Sequence, residues 1–286
     1  MKIAYKAKVT VIVKDEIGMV QEIVSSNDLT EHGMETIFNN LVGITDHKFQ
    51  SATLGYMDSI SCESWRTAGK FSDVGTPIFT AERLRYSDPV YEVTHEGYKV
   101  ARHTLNFAIT KDEAVGETFN SIGLYMTDGK MFALTHFNDI VKSDNFNLVV
   151  SWEISFIQIS KNTINEGGFG MLIRNMIPGE EQAVLDEVEV YDGESIVSAG
   201  EPVVELGEIG YSGNKMSMDV NIRGVINEEG TISCDKIVVK AGEDTFATVD
   251  FDGGVWQMWN TDQPKTKIRN AFTWMLTVSE ELTCEA

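Results

Sequence analysis

Strict alternation is what most constrains this sequence. Leu148, Val150, Trp152, Ile154 and Phe156 are apolar, and Val149, Ser151, Glu153 and Ser155 separate them. Successive side chains of an extended chain point to opposite faces, so this run reads as a strand with one buried face. The same period carries Ile3, Tyr5, Ala7, Val9, Val11 and Val13. The turn chemistry of Lys14-Asp15-Glu16-Ile17-Gly18 and the extended pattern of Met19 to Val24 complete an N-terminal hairpin. Further strands are predicted at Ala52 to Tyr56, Tyr91 to Thr94, Ala101 to Ile109, Ser121 to Met126 and Met131 to Phe137. Asp128-Gly129 is the strongest hairpin turn, because that dipeptide tolerates positive φ. Before residue 170 the clearest helical signal is Met34, Ile37, Phe38, Leu41 and Val42, with Thr30 as N-cap and Gly43 as stop.

The second half repeats the first. Gly170 to Ile177 echoes Gly33 to Val42, and Val188 to Asp192 echoes Thr53 to Asp58. Met216 to Gly224 stands where Arg102 to Thr110 stood, and Lys236 to Val239 where Ser121 to Leu124 stood. Thr245 to Phe251 matches Met131 to Phe137, and Phe272 to Val278 matches Val150 to Phe156. Blocks recurring in one order point to a duplicated unit. The polar, glycine-paired run Lys161 to Gly168 reads as a linker between the copies. The expected fold is therefore all-β: two tandem antiparallel β-sandwich domains, each with one short helix near its start. Residues 1–25 form a hairpin extension, 26–160 the first sandwich and 161–286 the second.

Charge narrows the partners. With 23 Lys+Arg against 44 Asp+Glu the formal net charge is −21, which repels phosphate backbones and anionic bilayers, so neither nucleic acid nor membrane is expected as a partner. A mean hydropathy of −0.13 and 42% hydrophobic residues suit a folded chain with a sizeable core. No apolar leader and no 18-residue apolar run is present, so synthesis in a cytoplasm is expected. Cys62, Cys234 and Cys284 lack metal-site spacing and read as reduced structural thiols.

Motifs for chemistry are missing. There is no G-x-S-x-G, no H-E-x-x-H, no Walker loop and no dinucleotide fingerprint. The expectation is a protein that is not an enzyme, with no catalytic residues, no cofactor and no metal. Trp65, Trp256 and Trp259 are the candidate ligand or interface residues, since exposed Trp stacks on sugar rings or anchors a protein contact.

The run Asn120-Ser121-Ile122-Gly123-Leu124-Tyr125-Met126-Thr127-Asp128-Gly129-Lys130-Met131-Phe132-Ala133, then Ile140-Val141-Lys142-Ser143, then Leu148 to Phe156, resembles the N-terminal domain of tailed-phage tail-collar fibre proteins. That pattern has a strand ending I-G-L-Y/F, a D-G turn, a strand with F-A, a K-bearing loop and a final alternating strand. Upstream, Thr30-Glu31-His32-Gly33 matches its T-x-x-G helix start and Ala52-Thr53-Leu54-Gly55 its A-L-G strand. The resemblance covers about residues 26–159. It implies a non-enzymatic virion part: a tail, baseplate or collar adaptor, or a fibre-anchoring component. The alternatives are a head decoration protein, or a carbohydrate- or receptor-binding module using the tryptophans. The sequence departs from the pattern in its additional hairpin and in a second sandwich where a shaft would follow. Expected partners are other virion proteins and further copies of itself in a homo-oligomer, because sandwich edge strands need cover.

Overall fold

The structure is a computed structural model and describes residues 2–57, 74–93, 97–158, 163–213, 215–226, 231–250, 256–259 and 270–281. The fold is all-β, with strands over 63% of the chain and two helices among the described residues.

The N-terminal hairpin is built from β1 (Lys2–Lys14) and β2 (Met19–Leu29). It is the hub of the molecule. Along one flank β1 pairs antiparallel with β10 (Asn147–Gln158), from Ile3↔Gln158 to Lys14↔Asn147. Its other flank is shared. Lys8 to Lys14 pair with β2, whereas Lys2 to Tyr5 pair in parallel with β20 (Asn270–Glu281). β7 (Lys99–Ile109) continues the sheet beyond β10, edged by β5 (Arg85–Tyr86) and β6 (Val90–Val93). Beyond β20 lie β15 (Lys215–Ile226) and β14 (Val203–Ser212). One long sheet therefore runs across the expected boundary near residue 160.

β2 leaves this sheet. Its last residues, Asn27 to Leu29, pair with β9 (Met131–Val141). From there a second sheet runs through β8 (Thr118–Met126) and β3 (Phe49–Tyr56) to β4 (Thr76–Ala81). Alternation sets the packing of the two faces, as predicted. Leu148, Val150, Trp152, Ile154 and Phe156 are all buried, together with Ile3, Tyr5, Val9, Val11 and Val13 from β1. Tyr5 meets both Phe156 of its own sheet and Phe132 of the second sheet edge-on, and Phe49 meets Phe132 at 5.0 Å. Offset aromatic contacts of this kind add to the area they bury.

A third sheet has the order β11 (Thr163–Ile164), β18 (Asp244–Asp250), β17 (Lys236–Ala241), β12 (Glu187–Asp192), β13 (Ser195–Gly200). The second sheet reads β2, β9, β8, β3, β4 in the same sense. Helix α1 (Glu31–Leu41) starts directly after β2, and α2 (Glu166–Arg174) starts directly after β11. A short ribbon of β16 (Thr231–Cys234) and β19 (Trp256–Trp259) completes the fold.

Each helix is docked by a glycine. A Cβ on Gly33 would collide with the carbonyl oxygen of Phe132, and one on Gly168 with that of Phe246. The residues next to these helices match as well. The Thr30 amide donates to Phe132 O at 2.9 Å and the Asn165 amide to Phe246 O at 3.0 Å. Leu29 pairs with Ala133, and Ile164 with Ala247. The structural counterpart of Gly33 is thus Gly168, two residues earlier than the sequence echo placed it. This also revises the linker over 161–168. Its described residues are a strand, an N-cap at Asn165 and the first turn of α2. Gly168 serves close packing of helix on strand, not chain flexibility.

The helix ends meet each other. Asn40 Nδ2 donates to Asn175 O at 3.0 Å, and Asn175 Nδ2 returns a long contact to Asn40 O at 3.5 Å. Phe49 N donates to Met176 O and Leu185 N to Leu41 O. Each asparagine also clamps the loop that follows its own helix. Asn40 bonds both the N–H and the C=O of His47, and Asn175 does the same to Ala183. Helix carbonyls left without intrahelical partners are satisfied in this way across the junction.

Candidate functional site

The structure brings three loops together at one end of the first half. β1 ends where β10 begins, at Lys14↔Asn147, and β7 ends beside it, at Ile109↔Leu148. Residues 110–117 connect β7 to β8, and residues 142–146 connect β9 to β10. The hairpin tip, 15–18, sits at the same end.

Lys142 braces this end. It is fully buried, yet its ammonium donates to Lys111 O at 3.1 Å and Ser143 O at 2.7 Å and lies 5.1 Å from the Phe146 ring centre. Burial lowers its pKa, against the opposing pull of Asp112, Asp144 and Glu113. Its backbone closes the neighbouring loop: Gly116 N donates to Lys142 O, and Lys142 N to Glu117 O, each at 2.8 Å. Glu113 caps the start of that loop through Thr110 N and Oγ1, and Asn147 Oδ1 accepts from Lys111 N. Among the described residues, the one positive φ outside glycine falls here, at Ala114 (51°). Backbone in that region costs about 1 kcal/mol or more and persists only where its surroundings hold it.

This framework displays apolar side chains to solvent. Ile17 is 97% exposed, and Val115 and Val141 stand out with it. The tip carrying Ile17 is itself fixed, since Asp15 Oδ1 accepts from Ile17 N at 2.8 Å and Gly18 N at 2.9 Å. The same loops carry Asp15, Glu16, Asp112, Glu113, Glu117 and Asp144 against the exposed Lys14 and Lys111, so acids predominate. The arrangement suits docking: an apolar centre, an acidic rim and a backbone ordered in advance.

A second polar cluster lies at the turn before β9. Asp128 Oδ2 is 3.1 Å from His32 Nε2 and 3.6 Å from His47 Nε2. Burial works to raise the Asp128 pKa, but the Lys130 amide and the charges of His32, His47 and Lys130 outweigh it and hold the carboxyl below its ordinary value. Burial lowers the His32 pKa despite Asp128. The cluster ties the first turn of α1 and its following loop to the Asp128-Gly129 turn, which gives the Asp128 side chain a tertiary role beside its place in the turn. Among the described residues no group of three His, Cys, Asp or Glu side chains is placed to hold a metal ion.

Of the sequence-chosen residues, Trp65 lies outside the described residues. Trp256 and Trp259 sit on β19, where they pair with Cys234 and Thr231 in the ladder with β16. They are not joined to the loop end described above. Cys234 is buried with a free thiol, and Cys62 and Cys284 lie outside the described residues. Sequence reasoning missed the loop end. Its one signal was an isoleucine at the centre of an otherwise polar turn, Asp15-Glu16-Ile17-Gly18. Among the described residues no helix is long and apolar enough to cross a membrane. No family model, curated protein or solved structure matches the chain.

Proposed function

We propose that the chain is a non-enzymatic structural protein of a tailed-phage particle, serving as a tail, baseplate or collar adaptor or as a fibre-anchoring component, and made of two fused β-sandwich units. The observation that carries this reading is how the collar-fibre-like blocks meet. The T-x-x-G start of α1 needs its glycine because the F-A strand passes over it, with the Phe132 carbonyl where a Cβ would be. Thr30 caps the helix through Gly33 N at 2.9 Å and also donates to Met131 O and Phe132 O. The A-L-G strand pairs with the I-G-L-Y strand, Leu54↔Ile122 and Ala52↔Leu124. The lysine of the K-bearing loop is the buried Lys142 that braces the loop end. Short blocks, each weak alone, are thus coupled by packing, which supports their having been read as one pattern.

On this reading the protein works by holding neighbours together in the virion after synthesis in the host cytoplasm. Mass spectrometry of gradient-purified particles tests it, with immunogold labelling to separate tail, collar and head surface. The chain is expected at a fixed copy number on the tail. Its absence from particles that contain the other structural proteins refutes the proposal, and gold confined to the head favours a decoration role.

A further inference from the structure

We infer that the chain assembles with itself head to side: the apolar, acid-rimmed loop end of one copy docks on the lysine-striped outer face of the long sheet of the next. This inference rests on two exposed surfaces and is independent of the virion reading.

The loop end supplies Ile17, Val115 and Val141, held on ordered backbone. A partner for it must be partly apolar and must bear positive charge. The first candidate, a second loop end, brings two acidic rims together, and like charges in register cost several kcal/mol. The chain as a whole carries −21 charges, so most of its surface is excluded for the same reason.

One face differs. On β1 the odd-numbered residues are buried apart from half-buried Ala7, and Lys2, Lys6, Lys8 and Lys14 stand exposed on the outer side, with no acidic residue in the strand. Lys6 and Lys8 form no ion pair among the described residues. Glu153, directly across the ladder from Lys8, leans instead to Arg102, which also holds Glu92 at 3.0 Å. Between Lys8 and Lys14 the outer face is apolar and half-buried at Ile12 and Val149, which are ladder partners, and Glu22 is the acidic neighbour of Ile12 on the β2 side. The face therefore offers a small apolar strip edged by the exposed ammonium groups of Lys6, Lys8 and Lys14, and these meet the excess of acids that the loop end presents. Contacts between unlike patches are heterologous, so they close into a ring or extend into a row.

The test uses the full chain and sedimentation velocity. Wild type is expected above monomer mass at about 50 mM salt and to shift toward monomer at about 500 mM, where exposed charges are screened. Ile17→Asp with Val141→Asp removes the docking end, and Lys6→Glu with Lys8→Glu removes the face. Each variant alone should weaken assembly by at least about tenfold, the effect of losing one anchoring group. Mixed in equal amounts, they retain one good end and one good face between them. The mixture should form a species of twice the monomer mass and nothing larger, which also shows that both variants are folded. Wild type that stays monomeric at about 100 µM and low salt, well above the range of specific contacts, overturns the inference. So does a mixture that remains monomeric, or a variant that assembles like wild type.

Discussion

His103 should make this protein acid-sensitive. The side chain is 1% exposed on the inner face of β7, stacked on Tyr86 with ring centres 6.0 Å apart and planes 8° apart. Among the described residues neither ring nitrogen has a hydrogen-bond partner. Burial pushes its pKa down from 6.5 to about 4, against a smaller opposing pull from Asp88. A depressed folded-state pKa means that the unfolded chain binds the proton more readily. The contribution is complete above pH 6.5 and is lost as pH falls toward about 4. Each pH unit inside that window is worth about 1.4 kcal/mol, so the loss from pH 7 to pH 5 is about 2 kcal/mol and reaches about 3 kcal/mol at pH 4. That is a large part of the ordinary stability of a domain. The assay is urea unfolding at pH 7, 6 and 5 for wild type and His103→Leu. The readout is the difference between their pH slopes, because burial also lowers His32 and His136 and these tilt both proteins alike. Wild type should lose about 2 kcal/mol more than the variant between pH 7 and pH 5. Parallel curves would show that the ring is solvated or protonated in the fold, and the reasoning would be wrong.

The junction and the loop end give further expectations. Asn40→Ala removes bonds to His47, Thr45 and Asn175 at once and should cost about 2–4 kcal/mol in chemical denaturation. Because Asn175 shares that contact, the double variant Asn40→Ala with Asn175→Ala should cost less than the sum of the singles. Gly33→Ala drives a methyl into the Phe132 carbonyl and should lower stability by about 2 kcal/mol or more, seen as a fall in Tm or in soluble yield. Lys142→Ala strands two carbonyls and should cost about 2 kcal/mol, with amide exchange quickening at 110–117. Unchanged exchange there would show that Lys142 does not hold the loop.

Much of the architecture was legible because alternation reports burial directly. Leu148 to Phe156 needed no other information, and neither did the hairpin of Ile3 to Val13. Alternation reports which face is buried but not which strand lies alongside. The split flank of β1, part β2 and part β20, left no trace in the pattern because either neighbour suits the same residues. Glycine was ambiguous for a related reason: Gly167-Gly168 reads as flexible until a carbonyl is found where the Cβ would be. The loop end was hidden because a lysine in a loop normally points to water, and only tertiary packing shows that Lys142 is buried beneath loops it holds in place.

The shared flank of β1 has a kinetic side. Lys2 to Tyr5 pair with Thr277 to Glu280, residues that leave the ribosome roughly 15 to 55 s later at usual elongation rates. β10 can close one flank of β1 and β2 the Lys8–Lys14 part of the other well before that, but the edge at Lys2–Tyr5 stays open until β20 arrives. Open edges recruit stray strands. Crowded expression should therefore favour aggregation over folding, slower elongation should prolong the hazard, and a chaperone that shields β1 during that interval should raise the yield of soluble protein.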